Sequence, residues 1–180
     1  SSVAVRFASD KFTSFTETTI GAAFVSREIG FDDYAVLFQI WDTAGQERYR
    51  ALAPIYFRSS SIIFVVFDCT CRNSWEGAKQ WLARVRSETQ SGKLIYLICN
   101  KIDLISTRLV SQTEVSKFAA DQSVRYFEVS AKTGEGVQDL FEAAAKEVPM
   151  LFDKLGKGEA AISIQPETSS QWSWFPCCSG

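Results

Sequence analysis

Three short polar clusters carry residue types that can do chemistry, and each follows an apolar run. The first is Asp42-Thr43-Ala44-Gly45-Gln46-Glu47. A carboxylate in that place can hold a Mg2+ ion through water. A glycine three residues on lets a backbone N–H approach an anion closely, and the next glutamine can orient a water. The second cluster is Asn100-Lys101-Ile102-Asp103 and the third is Ser130-Ala131-Lys132. Taken singly, each reads first as a turn or loop, because Asp, Asn, Gly and Ser are the residues turns use. Their joint order alters that reading. Three strands in succession, each ending in its own polar cluster, fit an open α/β sheet that binds ligands at the carboxyl ends of its strands.

The elements that must position these clusters are visible as short apolar runs alternating with amphipathic stretches. Residues 22–29 and 34–41 read as two strands joined by Gly-Phe-Asp-Asp, a hairpin-type connection. Residues 62–69 (IIFVVFDC) form a continuous apolar run, as expected of a strand buried on both faces. Residues 94–99 (LIYLIC) and 125–129 (RYFEV) are two more strands. Between them, residues 73–90 place Trp75, Ala78, Trp81, Leu82 and Val85 on one helical stripe. Ser111 and Glu114 form an S-x-x-E capping box ahead of Val115, Phe118 and Ala119. The last helix buries Val137, Leu140, Phe141, Ala144 and Val148, with Pro149 at its end. From about Leu151 the composition shifts to glycine, serine, threonine and proline, so residues 1–150 read as one domain and 151–180 as a tail.

Composition narrows the chemistry. The chain has 180 residues, 46% hydrophobic and 22% charged, which suits a globular domain with a tail. A net charge of −2 and a pI near 5.3 lack the basic footprint of a nucleic-acid binder. There is no histidine, which excludes Ser–His and Cys–His catalysis and His-containing zinc sites. No apolar run approaches the roughly 18 residues of a spanning helix, and the first residues show no signal-peptide pattern. Cys69, Cys71 and Cys99 lie in or beside apolar runs and read as core residues, whereas Cys177 and Cys178 are adjacent in the tail. Met150 is the sole methionine, so residue 1 is read as following a trimmed initiator or as the start of a fragment.

Together, the DTAGQE run, Asn100-Lys101-x-Asp103 and Ser130-Ala131-Lys132 resemble the small GTPases of the Ras superfamily. Trp41 before that run, Thr19-Ile20-Gly21-Ala22-Ala23-Phe24 and the double-cysteine end resemble the Rab family. The first of these segments and residues 46–54 are most similar to the early-endosomal Rab subfamily. The resemblance implies a three-layer P-loop NTPase fold with a mostly parallel six-stranded sheet. It implies a monomeric GTPase converting GTP to GDP with Mg2+. Thr19 would bring its hydroxyl to Mg2+ and its N–H to the γ-phosphate. Asp42 would hold Mg2+ through water, Gly45 would sense the γ-phosphate, and Gln46 would orient the attacking water. Asp103 would accept from the N1–H and N2 amino group of guanine. Asn100 would tie the loop, the Lys101 stem would cover the base, and the Ala131 N–H, between Ser130 and Lys132, would meet O6. Phe24, Trp41 and Tyr56 match the family's aromatic effector triad; the lesser alternative is ordinary core or scattered surface aromatics.

One family motif does not occur: no G-x-x-x-x-G-K-[ST] is found in residues 1–180. The alignment makes Ser1 the hydroxyl residue that ends this motif and a direct Mg2+ ligand. The expectation is therefore a fold without its first strand and P-loop, with upstream residues missing, or else a chain that has lost the phosphate site. Four charge-assisted hydrogen bonds forfeited there amount to roughly 6 kcal/mol or more. The strands flanking the missing one would also be left with unpaired edges.

Cys177-Cys178-Ser179-Gly180 resembles the double-cysteine end that Rab proteins carry for geranylgeranylation, and two lipid chains anchor stably. Trp172, Trp174 and Phe175 precede it and could settle at the headgroup boundary. The resemblance implies a GTP/GDP switch for endosomal vesicle trafficking and fusion on the cytoplasmic face of endosomal membrane, cycling with cytosol. Its partners would be effectors, an exchange factor, a GTPase-activating protein, a prenylation escort and a GDP-dissociation inhibitor. The competing expectation is a lipid-anchored, non-hydrolysing interaction module.

Overall fold

Continuous β-branched and aromatic runs give the sheet its centre. In this computed structural model, which describes residues 2–13, 19, 22–43, 53–89 and 92–155 (side chains to 151), those runs are β3 (Ile62–Asp68) and β4 (Leu94–Asn100). They pair in parallel from Ile62↔Leu94 to Asp68↔Asn100, and β5 (Arg125–Glu128) adds to the other edge of β4 in parallel. Paired on both edges, β4 is the strand sealed on both faces, with Tyr96, Leu97, Ile98 and Cys99 fully buried. The two remaining strands, β1 (Ala22–Gly30) and β2 (Ala35–Thr43), form an antiparallel hairpin closed by the Phe31 N–H donating to Tyr34 O at 2.7 Å.

The single mostly parallel sheet expected from the sequence is divided here. The described strands form a two-stranded sheet, β1-β2, and a three-stranded sheet, β3-β4-β5. The expectation that β3 is buried on both faces is corrected as a consequence. Val65 and Phe67 are buried on one face, but Val66 is 45% exposed on the other. With no strand among the described residues against its second edge, β3 has that face only partly covered.

Helices cover both faces of the three-stranded sheet. On one, α1 (Ser2–Ser9) and α5 (Val137–Leu155) bury Val3, Phe7, Leu140, Phe141, Ala144 and Val148 against Phe38, Tyr96 and Ile98. Phe7 stacks on Phe141 with ring centroids 3.6 Å apart, and Phe38 meets Phe141 edge-on at 5.3 Å. On the opposite face, α3 (Arg72–Glu88) and α4 (Gln112–Asp121) bury Trp75, Ala78, Val115 and Ala119 against Val65, Phe67, Leu97 and Cys99. A short helix not foreseen in the sequence, α2 (Ala53–Ser59), seats Ala53 and Phe57 beside Val85.

Two local expectations need correction. The last helix does not stop at Pro149 but runs on to Leu155. A helix-interior proline costs about 3 kcal/mol. Continuing past it buries Leu151, and burying a leucine returns about 1.5–3 kcal/mol, a comparable amount. The capping box is only half formed. Ser111 Oγ accepts from the Glu114 N–H at 3.2 Å, whereas the Glu114 carboxylate accepts from Arg72 Nη1 (2.6 Å) and Trp75 Nε1 (2.9 Å).

Candidate functional site

The loops after β4 and β5 are stitched to each other. Asn100, the last residue of β4, accepts the Ala131 N–H on its Oδ1 at 3.0 Å. Ser130, fully buried, donates its Oγ–H to Asp103 Oδ1 at 2.6 Å and accepts the Thr133 N–H at 3.1 Å. One carboxylate oxygen of Asp103 is thus held from inside the protein, which fixes the plane of the carboxylate. Oδ2 has no hydrogen-bond partner among the described residues. Asn100 and Asp103 of the second cluster and Ser130 and Ala131 of the third take part. The Ala131 N–H, assigned to guanine O6 by the resemblance, is occupied by Asn100 in this structure, so an incoming oxygen would share that proton.

Lys101 sits between these residues in a left-handed conformation, φ 68°, which a non-glycine residue adopts only when its surroundings hold it. Two contacts do so. Its carbonyl accepts from the Cys69 thiol at 3.2 Å and from the Leu104 N–H at 3.0 Å, and its Nζ pairs with Asp68 Oδ2 at 2.7 Å. Asp68 ends β3 and also accepts from the Thr70 N–H and hydroxyl at 2.8 and 2.7 Å. Burial alone would raise the Asp68 carboxyl, but the hydrogen bonds from Lys101 and Thr70 and the lysine charge outweigh it and hold the group below its ordinary value. Cys99, at the base of the same loop, is pushed up to about 12 by burial and is an inert thiol.

The first cluster lies at the end of β2. Asp42 Oδ2 accepts from Thr19 Oγ1 at 3.2 Å, so the residues expected to serve one Mg2+ ion are neighbours. A hydroxyl and a carboxylate are hard oxygen donors that suit Mg2+, which takes few protein ligands and keeps waters or phosphate oxygens in its remaining positions. Asp42, Asp68 and Asn100 all open onto one cavity. Ser1, Gly45, Gln46, Cys177 and Cys178 lie outside the described residues.

The three aromatics converge on the surface. Phe24 and Trp41 are cross-strand partners 5.0 Å apart, Tyr56 lies 5.4 Å from Trp41, and Phe24 and Trp41 are 48% and 51% exposed. A core role for Phe24 and Trp41 is thereby removed.

Sequence reasoning missed the supports of the loop after β5. Arg6, on α1, donates Nε to Ala131 O and Nη2 to Lys132 O, both at 2.8 Å. Nothing in its spacing marks it, since its partners lie 125 and 126 residues away. Gly136 has φ 69°, and a Cβ there would fall 2.3 Å from Glu128 O. The pair Gly134 and Gly136 so soon after Ser130-Ala131-Lys132 was a usable turn signal.

A model of the Ras family matches residues 1–150. The chain is 43% identical over 149 residues to the Ras-related protein RABF2a of Arabidopsis thaliana, covering 83% of this chain and 74% of that protein. It is 42% identical over 165 residues to the GTP-binding protein ypt5 of Schizosaccharomyces pombe, covering 91% and 78%. A third relative, the Ras-related protein RABF2b of Arabidopsis thaliana, is 40% identical over 149 residues.

Proposed function

The chain belongs to the Ras family of small GTPases, and from that membership we propose that it is a Rab-type GTP/GDP switch recruiting effectors to endosomal membrane. The observation that carries the reading is the double stitch, Ser130 to Asp103 and Ala131 to Asn100. It presents Asp103 as a fixed carboxylate acceptor beside a backbone N–H. Guanine offers the matching pattern, two adjacent donors and a carbonyl, whereas adenine lacks it.

In this reading, Asp103 accepts from the guanine N1–H and N2 amino group, and the aliphatic stem of Lys101 covers a ring face. Thr19 and Asp42 would hold Mg2+, which when bound offsets phosphate charge. Thr19 would give up its bond to Asp42 to hold the metal with a γ-phosphate present, so that the segment around it would report the nucleotide state. Gly45 senses the γ-phosphate and Gln46 orients the water for hydrolysis. Phe24, Trp41 and Tyr56 are the face that effectors read. Cys177 and Cys178 carry the lipids that anchor the chain to the cytoplasmic face of endosomes, and regulators and escort proteins act as in the family.

Asp103→Asn tests the base assignment. The new amide donates to the 2-oxo group of xanthine and no longer accepts two protons from guanine. Competition binding of GDP against XDP should reverse preference in the variant. Undiminished preference for GDP would put the base elsewhere.

A further inference from the structure

Helix α2 has only seven residues, and a helix that short is not stable in water on its own backbone bonds. Its last turn leaves four carbonyls without partners inside the helix, so what caps that turn decides whether it forms. Tyr56 begins that turn and carries the ring that lies 5.4 Å from Trp41. The place of the third ring in the surface aromatic cluster therefore depends on how the end of α2 is held.

It is held from outside the helix. Lys93, the residue before β4, donates from Nζ to the carbonyls of Arg58, at 2.8 Å, and of Ser60. Two neighbouring hydroxyls donate as well, Ser60 Oγ to Tyr56 O at 2.7 Å and Ser59 Oγ to the same carbonyl at 3.0 Å. The Leu94 N–H reaches Ser61 O at 3.0 Å. Of these donors only Lys93 is charged. Burial holds its ammonium below its ordinary value, and no carboxylate among the described residues draws on it. A part-buried cation without an anionic partner is costly unless something complements it. Here the complement is the carbonyl end of α2, the negative end of the helix dipole. Arg58, the basic residue of α2 itself, pairs instead with Glu88, 3.3 Å away.

We propose that Lys93 is the positioning residue of the aromatic face: its ammonium caps α2 and thereby sets the Tyr56 ring on Trp41. The use of that face rests on the effector reading given above, whereas the ring geometry does not. The remaining contacts of α2 leave this task open. Ala53 and Phe57 pack beside Val85, Trp81, Ile63 and Ile95, and apolar contact is non-directional. Those contacts bury the helix. The two carbonyl bonds at its end are directional, and they fix how its last turn is aimed.

Lys93→Met and Lys93→Arg in the full 180-residue chain test this with two readouts. One is hydrogen–deuterium exchange at residues 57–61 beside that at 94–100. The other is the NOE between the Tyr56 ring and the Trp41 indole. Methionine keeps the stem and loses the charge and the donors. Exchange in 57–61 should then quicken at least about tenfold, with 94–100 changing less than about twofold. The NOE should fall by about half or more, as the last turn frays. Arginine keeps the charge and can fork onto two carbonyls, so both readouts should stay near the parent's. A lysine that merely supports the start of β4 would quicken 94–100 and leave the NOE intact, which overturns the proposal. So do unchanged readouts in Lys93→Met, or an arginine variant that behaves as the methionine one. Global unfolding of Lys93→Met overturns it too, because a cap on one turn of a short helix cannot hold up the sheets. A parent chain without the Tyr56–Trp41 NOE does the same. Failure of the effector reading leaves both readouts where they are, since neither uses a partner.

Discussion

Arg6→Met should loosen the loop after β5 without disturbing the sheet. The guanidinium donates to Ala131 O and Lys132 O, and to Asp10 O and Oδ1 at 2.8 and 2.9 Å. These bonds are unequal. Asp10 is 86% exposed, so its ion pair contributes about 0–0.5 kcal/mol. Lys132 is exposed too, and its carbonyl finds water once the arginine is gone, so that bond is worth about 0.5–1 kcal/mol. Ala131 is buried, and a hydrogen bond from a charged donor there contributes about 1.5–3 kcal/mol. The sum is about 2–4.5 kcal/mol. In a domain of this size, each kcal/mol lowers Tm by about 2–4 °C. Methionine fills much of the vacated space, which keeps cavity effects small.

Urea unfolding with exchange on residues 130–136 reads the result. The midpoint should fall with m unchanged, and exchange in 130–136 should quicken more than in β4. Arg6→Lys should recover less than half the loss, because an ammonium cannot fork onto two carbonyls in fixed geometry. A loss below about 0.5 kcal/mol with unchanged exchange would refute the reasoning, and with it the claim that α1 sets the base-side loop.

Gly136→Ala should cost at least about 2 kcal/mol in denaturant, because its Cβ meets the Glu128 carbonyl at 2.3 Å on a φ of 69°. Gly134→Ala, with φ 89° but nothing nearer than 3.8 Å, should cost about half as much, and equal losses would discount the steric argument. The Asp68 carboxyl is lowered in the folded state, so its stabilisation is present above the unfolded pKa and is lost as pH falls through the folded one. Asp68→Asn should therefore flatten the fall in stability below about pH 4, leaving the part due to Glu114 and Glu128, also lowered; an unaltered slope counts against the Lys101 pairing.

Which features could be read from the sequence follows from the range of the forces involved. The strands were legible because backbone pairing and burial select β-branched and aromatic runs locally, and β3, β4 and β5 lie within a residue or two of their expected ends. The base-side cluster was legible because Asn100, Asp103 and Ser130 act within short loops. Their role in each other's positioning was not, since Ser130 meets Asp103 across 27 residues. Glu114 shows a local signal overridden: a good capping glutamate is drawn off by Arg72 and Trp75 on another helix. Pro149 shows the same for a breaker, overridden by the burial of Leu151. The exposure of Val66 belongs to neither kind. It depends on what stands beside β3, which its own residues do not encode.

The division of labour within the site follows from magnitudes. In the proposed reading Asp103, with one oxygen engaged by Ser130 and the other without a hydrogen-bond partner among the described residues, would contribute one or two charged hydrogen bonds to the base, about 1.5–3 kcal/mol each. Association itself costs at least about 4 kcal/mol in lost freedom, and micromolar binding requires a net of about 8 kcal/mol. The base loop therefore cannot hold a nucleotide alone, however well it is stitched. Its rigidity sets which base is accepted, because a fixed carboxylate left unpaired by the wrong base is costly. In that reading affinity would have to come from the phosphate side, where Thr19 and Asp42 meet at the end of β2 and would hold the Mg2+ that offsets phosphate charge.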